Sequence, residues 1–307
     1  MLSIILLTIL FVIASILLTV RYAFWKNAEN TTKSYLKKFK YVPDLDIYEE
    51  SQQLFNYGEK KIKHAVLLIH GYSCSVDELR SLAKELDNNK ITYYAPMLTG
   101  FGVSSLNKLY NINTSDWLRD SVCAYDLLSG ISEEVSIIGH STGSVLAAYI
   151  AEHRKVKHLV LTGPNFFVGK SEAKYKNYLK NKHVRNLVLW LLPAVVKPIR
   201  RGRSTFTDTL EPNAAQNVFH HPSITLKSLI ATWELQDKVD ILKANYETLM
   251  VMYGKQDLTV DVKPFLEMLD IHEVKYKKFE FDNCAHNVLE DYQKDEAIRI
   301  ILEHIKQ

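Results

Sequence analysis

Five residues, Gly139-His140-Ser141-Thr142-Gly143, constrain this chain more than any others, because a strand pattern runs into them and a helical pattern runs out. Val135 to Ile138 are apolar or β-branched but for one serine, and Ser144 to Ile150 are rich in Ala and Leu. That reads as strand, tight turn, helix. A turn this sharp crowds its central residue, so the flanking positions must lack a Cβ. Ser141 then stands at the tip with its hydroxyl at the carboxyl end of a strand. The first N–H groups of the next helix point toward whatever it attacks.

The segments around this turn repeat one theme. Gln53 to Tyr57 is a short strand pattern, and Ala65 to Ile69 is a fully buried strand ending in His70-Gly71-Tyr72-Ser73. The second half of Ser75 to Asn88 is an amphipathic helix with Leu79, Leu82, Ala83 and Leu86 on one side. Ile91 to Ala95 is a strand, Thr114 to Leu128 a helix, and Val156 to Leu161 a buried strand. Strands alternating with helices predict a parallel sheet covered on both faces. From about 165 to 240 the rhythm changes: no buried strand is evident, and apolar helical pieces such as Leu187 to Val196 stand among basic runs. This predicts an inserted, mostly helical cap. The sheet resumes at Thr248 to Tyr253, a last strand spans Val274 to Phe281, and a helix from about Lys294 to Ile305 closes the domain.

Residues 1–20 carry no charged side chain, and a helix of that length spans about 30 Å, the thickness of a bilayer core. A cleaved signal would need a basic start, a shorter apolar run and a small-residue cleavage site, so an uncleaved transmembrane anchor is expected. Arg21, Lys26, Lys33, Lys37, Lys38 and Lys40 follow it and nothing basic precedes it, which predicts a catalytic domain on the cytoplasmic side of a single-pass membrane protein. Residues 21–45 read as a juxtamembrane linker and 46–307 as the folded domain. The 38 basic and 35 acidic residues leave a net charge of +3, too balanced for a nucleic-acid binder. Three cysteines without a C-x-x-C pair argue against a disulfide framework or a structural zinc site. Cys123 is expected in the core.

Ser141, Asp257 and His286 each follow a predicted strand, so the sheet brings all three to one edge. The chemistry needs each of them. A serine hydroxyl attacks only when an imidazole takes its proton, and the imidazolium needs a carboxylate to orient and stabilise it. Asp261, four residues past Asp257, is the rival acid, but Asp257 sits directly after the strand. Backbone N–H groups of Tyr72 and Thr142 are the candidate oxyanion donors, such donors being worth about 3–4 kcal/mol each. No cofactor or metal is required. The pair His220-His221 lacks ligand partners at metal spacing.

Five motifs in this order resemble the α/β-hydrolases of the carboxylesterase, monoacylglycerol lipase and lysophospholipase type. They are Leu-Ile-His-Gly-Tyr at 68–72, Ala-Pro-Met-Leu-Thr-Gly-Phe-Gly at 95–102, Gly-His-Ser-Thr-Gly at 139–143, Gly-Lys-Gln-Asp at 254–257 and Ala-His-Asn-Val-Leu at 285–289. The resemblance covers about residue 47 to the end and implies an α/β-hydrolase fold with an acid at Asp257. Such families often carry histidine where Phe101 stands, which bears on loop packing and not on the triad. The reading implied is a serine hydrolase of small acyl esters, lipid-derived ones such as monoacylglycerols or lysophospholipids. Thioesterase, amidase and acyltransferase chemistry on the same triad, or a non-catalytic tethered binding protein, stay open, as does the oligomeric state. Phe166, Phe167 and Trp190 are the candidate acyl-pocket residues, with Leu191, Leu192, Phe219 and Trp233 beside them. Lys197, Arg200, Arg201 and Arg203 read as a solvated or headgroup-facing cluster. His70 is expected to brace the oxyanion loop, and Cys74 and Cys284 to pack.

Overall fold

The computed structural model of the protein describes residues 2–57, 62–168 and 170–307, the side chains of 2–4 and 170–172 aside. Met1, the first residue of the expected anchor, lies outside them. Helix α1 (Leu2–Leu36) leads to a two-residue ribbon, β1 (Tyr41–Val42) with β2 (Ile47–Tyr48), and then to β3 (Leu54–Asn56) and β4 (Ile62–Ile69). Next come α2 (Arg80–Asn88), β5 (Thr92–Ala95), α3 (Leu106–Tyr110), α4 (Thr114–Ser129), β6 (Ser132–His140), α5 (Thr142–His153) and β7 (Val156–Thr162). The insertion holds α6 (Lys170–Tyr178), α7 (Lys182–Leu191), β8 (Ala194–Val196), α8 (Pro212–Asn217), β9 (Ser223–Thr225) and α9 (Leu226–Lys238). It is followed by β10 (Tyr246–Gly254), α10 (Lys263–Ile271), β11 (Lys277–Phe281) and α11 (Lys294–Ile305).

The main sheet runs β11-β10-β7-β6-β4-β5-β3, parallel throughout except for β3, which pairs antiparallel with β5 at the edge. Its central strands are apolar on both sides because both faces are covered. Alternate residues of β4 show this: Ala65, Leu67 and Ile69 join a core with Trp117 and Leu118 of α4, Leu146 of α5 and Phe265 of α10. Val66 and Leu68 point the other way, into a core with Leu82 and Leu86 of α2 and Ile301 of α11. Parallel strands share a direction, so β4, β6, β7, β10 and β11 all deliver their following loops to one edge.

Three expectations change. The insertion does hold a short sheet, with β8 and β9 antiparallel and Ser223–Thr225 wholly buried. Three-residue strands are too short to show an alternating pattern, and α7 ends at Leu191, ahead of Pro193, so the expected helical piece from Leu187 to Val196 splits into the end of α7 and strand β8. Cys123 is exposed. Helix α4 buries Trp117, Leu118, Ser121, Ala124, Tyr125 and Leu128, a helical stripe that leaves position 123 on the outer face. The helix that begins at Leu2 also does not end near residue 20. Its apolar side chains from Ile5 to Leu18 are largely exposed, and it is long and apolar enough to cross a membrane. Its second half docks on the cap, where Ala28 and Leu36 are buried and Ser223 Oγ donates to Ala28 O at 3.0 Å.

Candidate active site

Ser141 sits between β6 and α5 with φ 54° and ψ −118°, a backbone conformation costly for any residue with a side chain. The chain is held there from both sides. Ser141 N–H donates to Thr162 O of β7 at 2.8 Å, and Ser144 Oγ donates to Gly139 O at 2.7 Å. The two glycines are demanded by contact. A Cβ on Gly139 would lie 2.3 Å from Gly143 O, and one on Gly143 would lie 2.1 Å from Ile69 O. Turn and neighbouring strand thus approach closer than any larger residue permits.

Asp257 follows β10 and His286 follows β11, and the structure brings them together. His286 Nδ1 lies 2.7 Å from Asp257 Oδ2, and N–H groups of Thr259 and Val260 donate to Oδ1 at 2.7 and 2.9 Å. The carboxylate is therefore fixed on both oxygens, and its bond to Nδ1 leaves the imidazole Nε2 as the remaining acceptor. Asp261 only caps Lys263 N–H at 3.2 Å. Burial, the largest influence on His286, disfavours its charge, yet the Asp257 charge and hydrogen bond, helped by Asp208, outweigh it and raise the imidazole above its ordinary value.

Thr142 follows Ser141 in the chain, and Tyr72 lines the same cavity as Ser141. Thr142 opens α5, so its N–H has no carbonyl four residues back in the helix. The Tyr72 hydroxyl is 2.7 Å from Ser228 Oγ of the cap, and its ring meets Phe101 edge-on at 5.5 Å. Phe101 is itself fully buried, stacked on Trp117 and edge-on to His70. His70 takes the Leu98 N–H on Nε2 at 3.1 Å and bonds Gly71 O through Nδ1 at 2.9 Å, so it joins the two loops. Burial pulls its pKa down to about 4, which keeps that ring neutral. Glu78 was not legible as a site residue, since an acid at the start of a helix reads as surface. It is buried beneath the Gly71–Tyr72 loop, accepts the Gly71 N–H, and is pushed up to about 7 by burial.

A cavity of about 350 Å³ opens over Ser141 and His286. A wider hollow of about 530 Å³ beneath α1 lies away from this chemistry, between Trp25, Leu36, Tyr48 and Leu106. In the wall of the first stand Leu229, Thr232, Trp233 and Gln236, one face of α9, with Val195, Ile224 and Cys74. Phe166, Phe167 and Trp190 are not in that wall. Phe166 stacks on Phe265 of α10 with ring centroids 4.5 Å apart, and Phe167 is exposed. Trp190 turns to the membrane-length helix, where Arg21 donates to its carbonyl and lies 5.5 Å over its ring. Phe219 is buried against Phe39 and Tyr48. Three of the four basic residues turn inward: Lys197 and Arg200 line the cavity and Arg203 forms a buried pair with Asp208 at 2.6 Å, while Arg201 is exposed as a solvated residue would be. Asp208, which sequence reasoning passed over, also accepts Leu258 N–H at 2.7 Å and Thr259 Oγ1 at 2.9 Å, and its carbonyl accepts His286 N–H at 3.0 Å.

A sheet covered on both faces, with a sharp serine turn after its central strand and loops from later strands converging on that edge beneath a cap, defines the α/β-hydrolases, and this protein has that fold. Within them it belongs to the family described as serine aminopeptidase, S33, whose model matches residues 60–293. A curated carboxylesterase of Bacillus subtilis (strain 168) is 26% identical over 126 residues, 41% of this chain and 49% of that protein, so the chain spans about half the length of that relative. Among solved structures, one of the metagenome-derived lipolytic enzymes LipS and LipT superposes with a TM-score of 0.65 at 17% identity, covering 84% of this chain and 98% of that one. A monoacylglycerol lipase of Paleococcus ferrophilus gives 0.65 at 16% identity over 83% and 97% of the two chains. A monoglyceride lipase of Saccharomyces cerevisiae, bound to a substrate analogue, gives 0.62 at 13% identity over 82% and 90%.

Proposed function

We propose that the protein is a membrane-anchored serine esterase that hydrolyses lipid-derived carboxylic esters, such as monoacylglycerols or lysophospholipids, through an acyl-enzyme at Ser141. The observation that carries this reading is the 2.7 Å His286–Asp257 bond at the rim of the cavity that Ser141 also lines. Ser141 Oγ attacks the ester carbonyl while His286 Nε2 takes its proton, and Asp257 holds the imidazolium that results. The Tyr72 and Thr142 N–H groups receive the oxyanion, and the leaving alcohol takes the proton back from His286. Water then enters by the same route in reverse and frees the acid. Leu229 and Trp233 of α9, with Val195 and Ile224, give the cavity an apolar stretch that supports an acyl chain as the bound portion. The curated carboxylesterase and the neighbours named as monoacylglycerol lipases support an ester as the scissile bond.

The first half of α1 would cross the bilayer, and Arg21, Lys26, Lys33, Lys37 and Lys38 beyond it favour the cytoplasmic side for the catalytic unit. The test is hydrolysis of p-nitrophenyl esters of increasing chain length by wild type and Ser141→Ala, with fluorophosphonate labelling alongside. Activity and labelling that vanish in Ser141→Ala are expected. Activity that survives the substitution, or neither activity nor labelling in wild type, would overturn the reading. For the anchor, protease protection of the domain in right-side-out vesicles is expected, and digestion would reverse the orientation.

A further inference from the structure

Lys197 and Arg200 follow strand β8 and stand in the wall of the cavity that holds Ser141 and His286. Lys197 Nζ donates to Ser73 Oγ at 2.9 Å, beside the oxyanion loop, and Arg200 Nε donates to Leu258 O at 3.3 Å. Both partners are neutral. Among the described residues neither cation pairs with a carboxylate, whereas Arg203, three positions on, is committed to Asp208 and to Gln256 O.

The acids nearby are already occupied. Asp208 gives Oδ1 to Arg203 and Oδ2 to Leu258 N–H and Thr259 Oγ1. Asp257 is held by His286 on one oxygen and by two backbone N–H groups on the other. Glu78 accepts the Gly71 N–H, and burial favours its neutral form. A cation removed from water costs several kcal/mol unless an anion meets it. Burial accordingly draws the Lys197 ammonium down to about 8, and the Arg200 charge is felt both there and at His286. Lys197 bears that cost, while Arg200 stands partly exposed beside it at the cavity wall. The cavity therefore offers the apolar side chains of Leu229 and Trp233 and, among the described residues, two cations that pair with no carboxylate.

We infer that Lys197 and Arg200 form an anion subsite, and that the substrate, on the esterase reading above, is an acyl ester bearing a phosphate or carboxylate close to the scissile bond. The anion completes both cations, and the acyl chain lies along Leu229 and Trp233. A cavity of about 350 Å³ keeps the charged group within a few bonds of the ester carbon. If Lys197 were only a tether for the Ser73 loop and Arg200 only a rim residue, neither would distinguish a charged ester from a neutral one.

The test uses the full chain in detergent micelles and two matched pairs of substrates. One pair is monooctanoylglycerol and its phosphate; the other is O-octanoyl-lactamide and O-octanoyl-lactate. The readout is the ratio of kcat/KM for the charged ester to that for its neutral partner, with fluorophosphonate titration giving the active fraction of every variant. Wild type should favour the charged member of at least one pair by about tenfold or more, and Arg200→Gln and Lys197→Gln should each lower that ratio by about tenfold. Arg200→Lys should recover most of it. The pair that shows the preference identifies phosphate or carboxylate as the group recognised. A wild-type ratio near or below one in both pairs, or a ratio unmoved by both glutamine variants, overturns the subsite while leaving the esterase reading intact. Failure to hydrolyse any of the four esters, together with no labelling, overturns both.

Discussion

Replacing Arg203 by methionine should destabilise the protein more than any other single charge removal in the cap. Its side chain is 7% exposed and that of Asp208 1%, with Nε to Oδ1 at 2.6 Å and Nη2 donating to Gln256 O at 2.7 Å. Removing one partner of a buried pair costs about 3–5 kcal/mol, because the other charge is left without compensation. Here the cost falls at the lower end, about 3 kcal/mol, since Asp208 Oδ2 keeps the Leu258 and Thr259 donors. At roughly 2–4 °C per kcal/mol for a domain of this size, the unfolding midpoint should drop by about 6–12 °C. The loss also reaches the chemistry. Asp208 carries the His286 N–H on its carbonyl and fixes the loop after Asp257, so kcat should fall while fluorophosphonate still labels the folded fraction. The assay is thermal unfolding of the full chain in detergent, for Arg203→Met, Asp208→Asn and the double variant. The double variant should recover part of the loss, because it removes the stranded charge. A shift under about 2 °C for Arg203→Met, or a double variant less stable than Arg203→Met alone, would refute the reasoning.

Gly143→Ala should abolish folding or labelling: its Cβ would sit 2.1 Å from Ile69 O and 2.7 Å from His70 O, and both obstacles are backbone. Yield of folded protein and fluorophosphonate labelling check it, and labelling at the wild-type rate would count against the geometry. The pH profile of kcat/KM should have an acid limb above the ordinary imidazole value, because the proposed mechanism uses neutral His286 as base and Asp257 raises its pKa. The groups facing that imidazole are Asp257, Asp208, Arg200, Glu78 and His140. In Asp257→Asn burial dominates, so the limb should move below 6.5 as kcat falls; a limb that stays put would break the assignment. Stability follows the same sign. The contribution from His286 is fully present below the unfolded imidazole pKa and is lost as pH rises through the raised folded value.

The placement of the candidate site at one sheet edge was legible because its signals are local. Within a few residues the pattern around Ser141 changes from strand to helix, and glycines occupy the two positions where backbone meets backbone. Asp257 follows an apolar run that reads as an inner strand, whereas His286 follows β11, a mostly polar edge strand, and is legible only through its place after the last strand of the sheet. The cap was not legible for the opposite reason. Its charges are placed by partners distant in sequence: Lys197 bonds Ser73, 124 positions away, and Arg203 reaches Gln256, 53 away. From sequence a basic run defaults to solvent, and only those partners turn it inward. Aromatic character misled in the same region. Phe166 and Trp190 are apolar enough to line a pocket, but one is used by α10 and the other by α1. Of the expected pocket residues Trp233 does line the cavity, and Leu229, Thr232 and Gln236 join it at helical spacing without being conspicuously apolar.

Helix α1 ties the membrane question to the active site. It continues without a break from the exposed apolar stretch into the segment packed on the β8–β9 ribbon, and β8 leads directly to Lys197 and Arg200. Arg21 on Trp190 and Trp25 on Tyr110 add contacts at the point where the helix leaves the apolar stretch. Further along, Tyr35 lies 3.2 Å from His220 Nδ1, and Lys38 donates to Gln216 O. The helix is therefore a wall of the cap as well as a candidate anchor, and cutting it near residue 27 would strip the Arg21 and Trp25 contacts from the structure that shapes the cavity. Substrate preference measured on such a fragment would report on a loosened cap. Measured on the full chain it reports on the cavity as folded, which is why the anion-subsite test keeps α1 whole.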